Sequence, residues 1–297
     1  MKTAFAFVLC LLSLVLFADT IDLRSGDSLC KVDVEHGARI VSWQVAGKEL
    51  LWNPSEAPKE DGRWRHGGIP LVWPWQGDEW PTNAVDRSPH GVAWKSRFER
   101  QIEHDFQGNV VPPKQGVTLF LEAEGLKAEY KIWLGDRYLR LTLKTKNVSA
   151  EPRPYAMSFH PYFYLKERDK ATVGGVNGFR YRDSLCGCAT NGVWKGWLPL
   201  TAWTDLEFFC GDKEMSVYFL EEDVNRGIFV SSPNAQAFWV WNPGKEWTVE
   251  GMPLYGGLEK DAWRHILSVE PSTVSIRKAV PLKPGEEQTI SAEFNCY

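Results

Sequence analysis

Leu139-Arg140-Leu141-Thr142-Leu143-Lys144 alternates apolar and polar residues at every step. Successive side chains of an extended chain point to opposite faces, so the three leucines share one face and Arg140, Thr142 and Lys144 the other. The same period recurs in Thr118-Leu119-Phe120-Leu121, Glu129-Tyr130-Lys131-Ile132-Trp133-Leu134, Ser216-Val217-Tyr218-Phe219-Leu220, Phe238-Trp239-Val240-Trp241 and Thr289-Ile290-Ser291-Ala292-Glu293-Phe294. Gly135-Asp136 separates two of these runs and predicts a hairpin turn. No segment sustains a helical period over several turns. Many short strands rich in β-branched and aromatic residues, with 25 glycines for turns, predict an all-β sandwich or barrel.

Of the 297 residues, 43% are hydrophobic and 24% charged, the balance of a soluble globular protein with ample core. No linker or composition break follows the first 18 residues, so 19–297 read as a single domain. Pro54 to Ser88 and Lys166 to Pro199 read as long loops, where function tends to collect. The net charge of -4 argues against nucleic acid, whose phosphates need a basic surface. Nothing implies a stable protein partner, and a monomer is the expectation.

Met1-Lys2, an apolar run from Ala4 to Phe17 and the small residue Ala18 read as a secretory signal over residues 1–18, which predicts a secreted or periplasmic protein. The run is short for a membrane span. Leu16 stands where a small residue is expected before the cleavage point, so an uncleaved anchor is the alternative. Five cysteines lie beyond the run (Cys30, Cys186, Cys188, Cys210 and Cys296), and an odd number leaves at least one without an intramolecular disulfide partner. Cys186-Gly187-Cys188 is too tightly spaced for an ordinary zinc knuckle. Asn147-Val148-Ser149 is a glycosylation sequon.

Fifteen tryptophans are the anomaly of composition, and Trp64, Trp73, Trp75, Trp80 and Trp94 crowd one stretch. Each is read as core, or as a platform for the apolar face of a pyranose. Two titratable residues stand out among apolar neighbours. His160 lies in Ser158-Phe159-His160-Pro161-Tyr162-Phe163 and Glu270 in Leu267-Ser268-Val269-Glu270-Pro271, each just before a proline expected to end regular pairing. Taken singly, either is more often a satisfied buried residue. As a converging pair they are an acid and a base suited to moving protons on a small molecule.

Further segments fall in order along the chain: His66-Gly67-Gly68-Ile69-Pro70-Leu71-Val72-Trp73-Pro74-Trp75-Gln76-Gly77, His90-Gly91-Val92-Ala93, His160-Pro161-Tyr162-Phe163, Thr204-Asp205, Trp241-Asn242-Pro243 and Val269-Glu270-Pro271. From about Leu23 to Phe294 this set resembles the aldose 1-epimerase (galactose mutarotase-like) superfamily, and it is most similar to the hexose-6-phosphate mutarotase branch. The resemblance implies a β-supersandwich of two large twisted antiparallel sheets, with the sugar in a groove across one of them. It implies exchange of α and β anomers without metal or organic cofactor, on a hexose or hexose 6-phosphate. His160 would donate to the ring oxygen and Glu270 would take the proton of the anomeric hydroxyl. His90, Asp205 and Gln76 would bind the sugar, and Arg65, His66 and Trp94 would line its site.

Two positions depart from the branch. His66 stands where arginine usually precedes the Gly-Gly-Ile-Pro motif, with Arg65 one residue earlier, and Trp94 stands where arginine usually follows His-Gly-x-Ala. Tryptophan cannot supply the charged bonds by which those arginines hold a sugar phosphate. Arg63, Arg65, Lys95 and Arg97 are the neighbours that would rebuild an anion site, although a one-residue shift in a strand turns a side chain to the other face. The expected substrate is therefore an unphosphorylated or differently charged sugar. A non-catalytic carbohydrate-binding protein on the same fold is the alternative, and a glycosidase or lyase using Glu270 with Asp205 is a third reading. Serine hydrolase and dinucleotide-binding motifs are missing: no Gly-x-Ser-x-Gly occurs, and Gly174-Gly175-Val176-Asn177-Gly178 does not fit Gly-x-Gly-x-x-Gly. The six histidines show no metal spacing.

Overall fold

The leucine run lies within a ten-residue strand, Tyr138–Asn147, and Leu139, Leu141 and Leu143 are buried while Arg140 is exposed. It pairs antiparallel with Leu126–Leu134 on one side, Leu141 opposite Ile132, and with Glu287–Cys296 on the other, Leu141 opposite Ala292. The turn at Gly135 and Asp136 joins the first two of these strands, as predicted. The computed structural model describes residues 20–54, 63–104, 107–108, 110–111, 113–186, 192–221, 226–245, 247 and 258–297. The expected signal, residues 1–18, and Cys188 lie outside them.

Among the described residues the largest sheet has nine strands, in the order Leu198–Pro199, Ala171–Gly174, Met215–Glu221, Arg226–Ser232, Glu287–Cys296, Tyr138–Asn147, Leu126–Leu134, Gly116–Ala123 and Glu99–Arg100. A second sheet of eight strands runs Gly192–Val193, Arg180–Asp183, Thr204–Phe209, Ala237–Asn242, Ile266–Ser272, Ser158–Phe159 and Leu71–Val72, with Phe163–Tyr164 also paired to Ile266–Ser272. Their facing apolar sides interlock. Phe163 of the second sheet meets Phe219 and Phe294 of the first at 5.4 and 5.9 Å between ring centres, and Phe159 stacks on Tyr130 at 6.0 Å. Such aromatic contacts between inner faces make a sandwich core. A smaller sheet of Thr20–Ser25, Ser28–Asp33, Arg39–Val45 and Lys48–Glu49 joins the segment after Gly68 through a bridge from Ile40 to Ile69. The expected all-β sandwich is the observed one.

Three local readings need correction. The stretch from Lys166 to Pro199 is not one long loop: it holds four short strands that extend the edges of both large sheets. Charge hides them, because Arg180-Tyr181-Arg182-Asp183 alternates around one aromatic and no aliphatic residue. Pro271 does not end pairing either. It sits opposite Phe238 inside Ile266–Ser272, on a stretch whose other edge carries no ladder partner among the described residues, so its missing N–H costs no bond to them there.

The sequon is structural. Asn147 is fully buried, its Nδ2 donates to the carbonyls of Glu151 and Leu282 at 2.8 Å each, and its Oδ1 accepts from the N–H and Oγ of Ser149. A glycan on Nδ2 would replace one of the two donated bonds and would need room that this fully buried side chain does not have. Asn147→Ala is expected to cost about 3 kcal/mol, since it removes a fully buried side chain with its four hydrogen bonds. Urea unfolding checks this; a variant as stable as the wild type would show that the bonds contribute nothing.

Candidate active site

The site grows from a gap in the second sheet. Strand Ile266–Ser272 is paired along one edge by Ala237–Asn242. Along the other it meets Phe163–Tyr164 at one end and Ser158 at the other. Between these, His160-Pro161-Tyr162 leaves the ladder. The backbone N–H groups of His160 and Tyr162 donate instead to the carbonyls of Pro70 and Gly68, at 3.2 and 2.8 Å. The gap lets the His160 side chain reach across, and its Nε2 stands 3.3 Å from Glu270 Oε1.

Period two supplies the support. Ser158 precedes His160 by two residues and Ser268 precedes Glu270 by two, so each serine shares a face with its titratable neighbour. Each serves the opposite partner: Ser158 Oγ donates to Glu270 Oε2 at 3.2 Å, and Ser268 Oγ bonds His160 Nδ1 at 3.2 Å. Tyr162 lies flat on the imidazole of His160, 4.6 Å between centres and 14° from parallel. Its hydroxyl accepts from Trp64 Nε1 and bonds His66 Nδ1, each at 3.0 Å. The pair is almost closed off, with His160 7% and Glu270 4% exposed.

His90 is the third imidazole, 5.7 Å from His160 between centres and packed against Trp64 at 4.3 Å. It also shapes a turn, with φ of 58°. The Gly77 N–H donates to its Nδ1 at 3.1 Å, which leaves the proton of the neutral ring on Nε2. Burial pushes His90 down to about 3, so it stays neutral and serves as a donor.

Electrostatics at the pair favours uncharged forms. Burial raises the Glu270 carboxyl to about 8; the Asp205 charge adds to this, while bonds from Ser268 and Ser158 oppose it. Burial also drives His160 well below its ordinary value, with His90 and His66 pushing the same way. One proton therefore belongs to the pair, favoured on the carboxyl and separated from the imidazole by a single contact. Asp205 lies opposite Trp241, whose ring is 6.1 Å from His160, and burial raises its carboxyl to about 7.

The remaining expected residues divide. His66 joins the site: it is buried, stacked within 2° of parallel on Trp241, and bonded to Tyr162. Arg65 contributes its carbonyl to Arg39, a buried guanidinium that also binds the carbonyls of His66 and Gly67 and so moors this loop. Gln76 is buried beside Gly77, and its Oε1 makes no hydrogen bond among the described residues. Trp94 does not reach the pair: its Nε1 donates to Pro89 and Gly91 carbonyls and its ring meets Trp64 edge-on at 5.7 Å. Trp73 and Trp75 are core, fully buried with N–H groups bonded to Thr145 and Ser88. Sequence reading missed Ser158, Ser268, Tyr162 and Trp64; the two-residue spacing before His160 and Glu270 was the signal for the serines. Among the described residues no group of three His, Cys, Asp or Glu side chains is arranged to hold a metal ion.

The aldose 1-epimerase family model matches residues 19–295. The chain belongs to the aldose 1-epimerase family. Membership makes it an isomerase of the epimerase type. It is 24% identical over 280 residues to a candidate glucose-6-phosphate 1-epimerase of Cenchrus ciliaris, covering 89% of this chain and 80% of that protein. A candidate glucose-6-phosphate 1-epimerase of Escherichia coli K12 is 26% identical over 257 residues, covering 84% and 82%. Among solved structures, a candidate mutarotase of Salmonella typhimurium superposes with a TM-score of 0.73 at 19% identity, covering 93% of this chain and 89% of that one. A galactose mutarotase related enzyme of Lactobacillus acidophilus gives 0.70 at 15% identity, covering 94% and 97%.

A buried carboxyl whose pKa rises on folding is harmless while protonated and destabilises the fold once it must ionise. Stability should therefore fall as pH rises from about 4.5 through about 8, the range between the ordinary and buried values of Glu270. Glu270→Gln should flatten this limb and gain on the order of 3 kcal/mol relative to the wild type at pH 9. Thermal unfolding of both proteins across pH 5–9 tests it, and parallel curves would contradict it.

Proposed function

We propose that this epimerase interconverts the α and β anomers of an unphosphorylated aldose at the His160/Glu270 pair. The observation that carries the reading is the 3.3 Å contact between Nε2 and Oε1 in a nearly dry setting. Glu270 as carboxylate takes the proton of the anomeric hydroxyl, the O1 electrons close a carbonyl, and the bond from C1 to the ring oxygen breaks. The ring oxygen takes its proton from protonated His160. Ring opening thus leaves a neutral imidazole and a protonated carboxyl, the distribution that burial favours. The aldehyde turns about the C1–C2 bond, and the two groups reverse roles as the ring closes on the other face. His90 donates from Nε2 to the sugar, and Asp205 and Gln76 Oε1 accept from its hydroxyls.

Charge supports the unphosphorylated substrate. The branch's two arginine positions hold His66, stacked on Trp241, and Trp94, bonded to its own loop. Two nearby cations are committed elsewhere: Lys95 Nζ to Asp86 and Ser88 at 2.6 Å each, and Arg97 to Glu35 at 2.6 Å. The names of the relatives would bring a 6-phosphate to this chain; these contacts speak against it. On this reading residues 1–18 act as a secretory signal, which takes the protein to a compartment where sugar phosphates are scarce.

Anomer exchange of glucose, galactose and glucose 6-phosphate, followed by NMR, tests the proposal. Free sugars should exchange faster with the protein, and His160→Ala or Glu270→Gln should lower that rate at least about 100-fold. Near wild-type exchange in either variant would remove the pair from the mechanism. Acceleration of glucose 6-phosphate alone would overturn the substrate, and saturable binding with no exchange would favour a carbohydrate-binding protein.

The catalysed rate should also fall above about pH 8, where the pair loses its one proton. A rate still climbing at pH 9, after subtraction of the uncatalysed reaction, would mean that ring opening does not draw on that proton.

A further inference from the structure

Three irregularities converge on Arg39. It opens the strand Arg39–Val45 of the smaller sheet, directly after Ala38, a buried alanine with φ of 49°. That left-handed conformation is strained for a residue with a Cβ. Just beyond Arg39 the ladder slips: Ile40 stands opposite Val32 and Ser42 opposite Lys31, so Val41 is an extra residue on this strand. Such a bulge bends a strand and re-aims its side chains. Between the two irregularities Arg39 and Ile40, neighbours in sequence, are both buried. Ile40 bridges to Ile69, and Arg39 turns its guanidinium onto the loop beside the active site.

The third irregularity is a buried charge. Arg39 is 8% exposed, and its hydrogen-bond partners among the described residues are carbonyls alone. Nε donates to Gly67 at 2.8 Å, and Nη2 donates to Arg65 and His66 at 3.0 and 2.8 Å. Burial lowers the guanidinium to about 10, so it remains a cation at neutral pH. A buried cation bonded to no carboxylate costs stability, and tethering a loop does not by itself require one. The loop is already held by its backbone: Ile69 exchanges both hydrogen bonds with Ile40, and the Gly68 N–H donates to the Trp52 carbonyl. Arg39 adds the residues just before that anchor. Tyr162 leans on this stretch twice, since its N–H donates to the Gly68 carbonyl and its hydroxyl bonds His66 Nδ1. Tyr162 in turn lies on the imidazole of His160, 4.6 Å between centres.

We infer that Arg39 is a positioning residue for the proton transfers at His160 and Glu270. It fixes the carbonyls of Arg65, His66 and Gly67; these residues set His66 and Gly68 against Tyr162, and Tyr162 holds the imidazole within reach of Glu270. A planar fork that binds three successive carbonyls selects one loop conformation, where a flexible ammonium would allow several. The 3.3 Å contact from Nε2 to Oε1 needs that precision, because displacement of a reacting group by about 1 Å can cost on the order of 100-fold in rate. Strain at Ala38 and the bulge at Val41 aim the side chain, and strained residues concentrate where function depends on them. The inference rests on the epimerase reading but is tested separately from it.

Arg39→Lys tests it, because it keeps the charge and loses the fork. For whichever of glucose and galactose the wild type exchanges faster, kcat should fall at least about tenfold while KM changes less than about twofold. The split is expected because His90, Asp205 and Gln76, the proposed sugar contacts, are not held by Arg39. Amide hydrogen exchange supplies the second readout. The N–H groups of His160 and Tyr162 should exchange at least about tenfold faster than in the wild type, while those of Leu141 and Leu143 in the nine-stranded sheet keep their rates. A merely structural role would speed all four together. Should Arg39→Lys not fold, Arg39→Gln is measured in the same way. Unchanged kcat, amides that all speed up alike or not at all, or failure of both variants to fold would overturn the inference. If the wild type exchanges no sugar, the epimerase reading fails, and amide exchange alone decides whether Arg39 positions the pair.

Discussion

Exclusion of water from the contact between His160 and Glu270 governs the rest of the site. In water the two groups would be an imidazole and a carboxylate of ordinary strength, and neither would be poised for the poor proton partners that a sugar presents. Buried, the carboxyl is raised to about 8 and the imidazole is lowered, so their proton affinities cross and the one proton of the pair rests on the carboxyl. That balance survives only while both groups are held and dry. Tyr162 covers the imidazole, the serines at 158 and 268 each bind one partner, and Trp64, Trp241 and His66 close the walls.

The sandwich supplies that exclusion by interrupting its own ladder. A continuous strand beside Ile266–Ser272 would spend its backbone on pairing and leave no room for an imidazole from the next strand. Pro161 breaks the run, and the loop after Arg65 receives the backbone groups that the break releases. That loop is tightly specified. Gly68 has φ of 65°, and a Cβ there would fall 2.3 Å from the Ile40 carbonyl; Gly91, at φ 81°, would place one 2.1 Å from the Trp73 carbonyl. The glycines of the two motifs therefore set backbone geometry, while chemistry rests on the side chains they position. Arg39 completes the mooring from the smaller sheet, so the site depends on all three layers.

The sandwich was legible wherever one face of a strand is leucine and the other is charged, as in Tyr138–Asn147. It was illegible at Arg180–Asp183, where both faces are polar or aromatic. The family motifs found His160 and Glu270, but the serines that hold them were passed over as ordinary strand residues. Tryptophans misled by number: Trp73 and Trp75 are core, while Trp64, read only as one of a cluster, packs against two of the site's histidines. Asn147 looked like a modification site because a sequon is local, whereas the bonds that bury it come partly from Leu282, far along the chain. Sequence carries period and motif well. It carries poorly the contacts between distant strands that decide whether a polar group is satisfied.

The replaced arginines are consistent with the same electrostatics. A phosphate brings close to two negative charges, and a site whose carboxyls already resist ionisation would hold them only with cations at hand. With Lys95 and Arg97 committed to other partners, a bound phosphate would raise Glu270 further and leave less of it ionised to act as a base. A neutral sugar would avoid that penalty. His66 stacked on Trp241 fits the neutral substrate proposed above, since an uncharged sugar asks for no charge complementarity there.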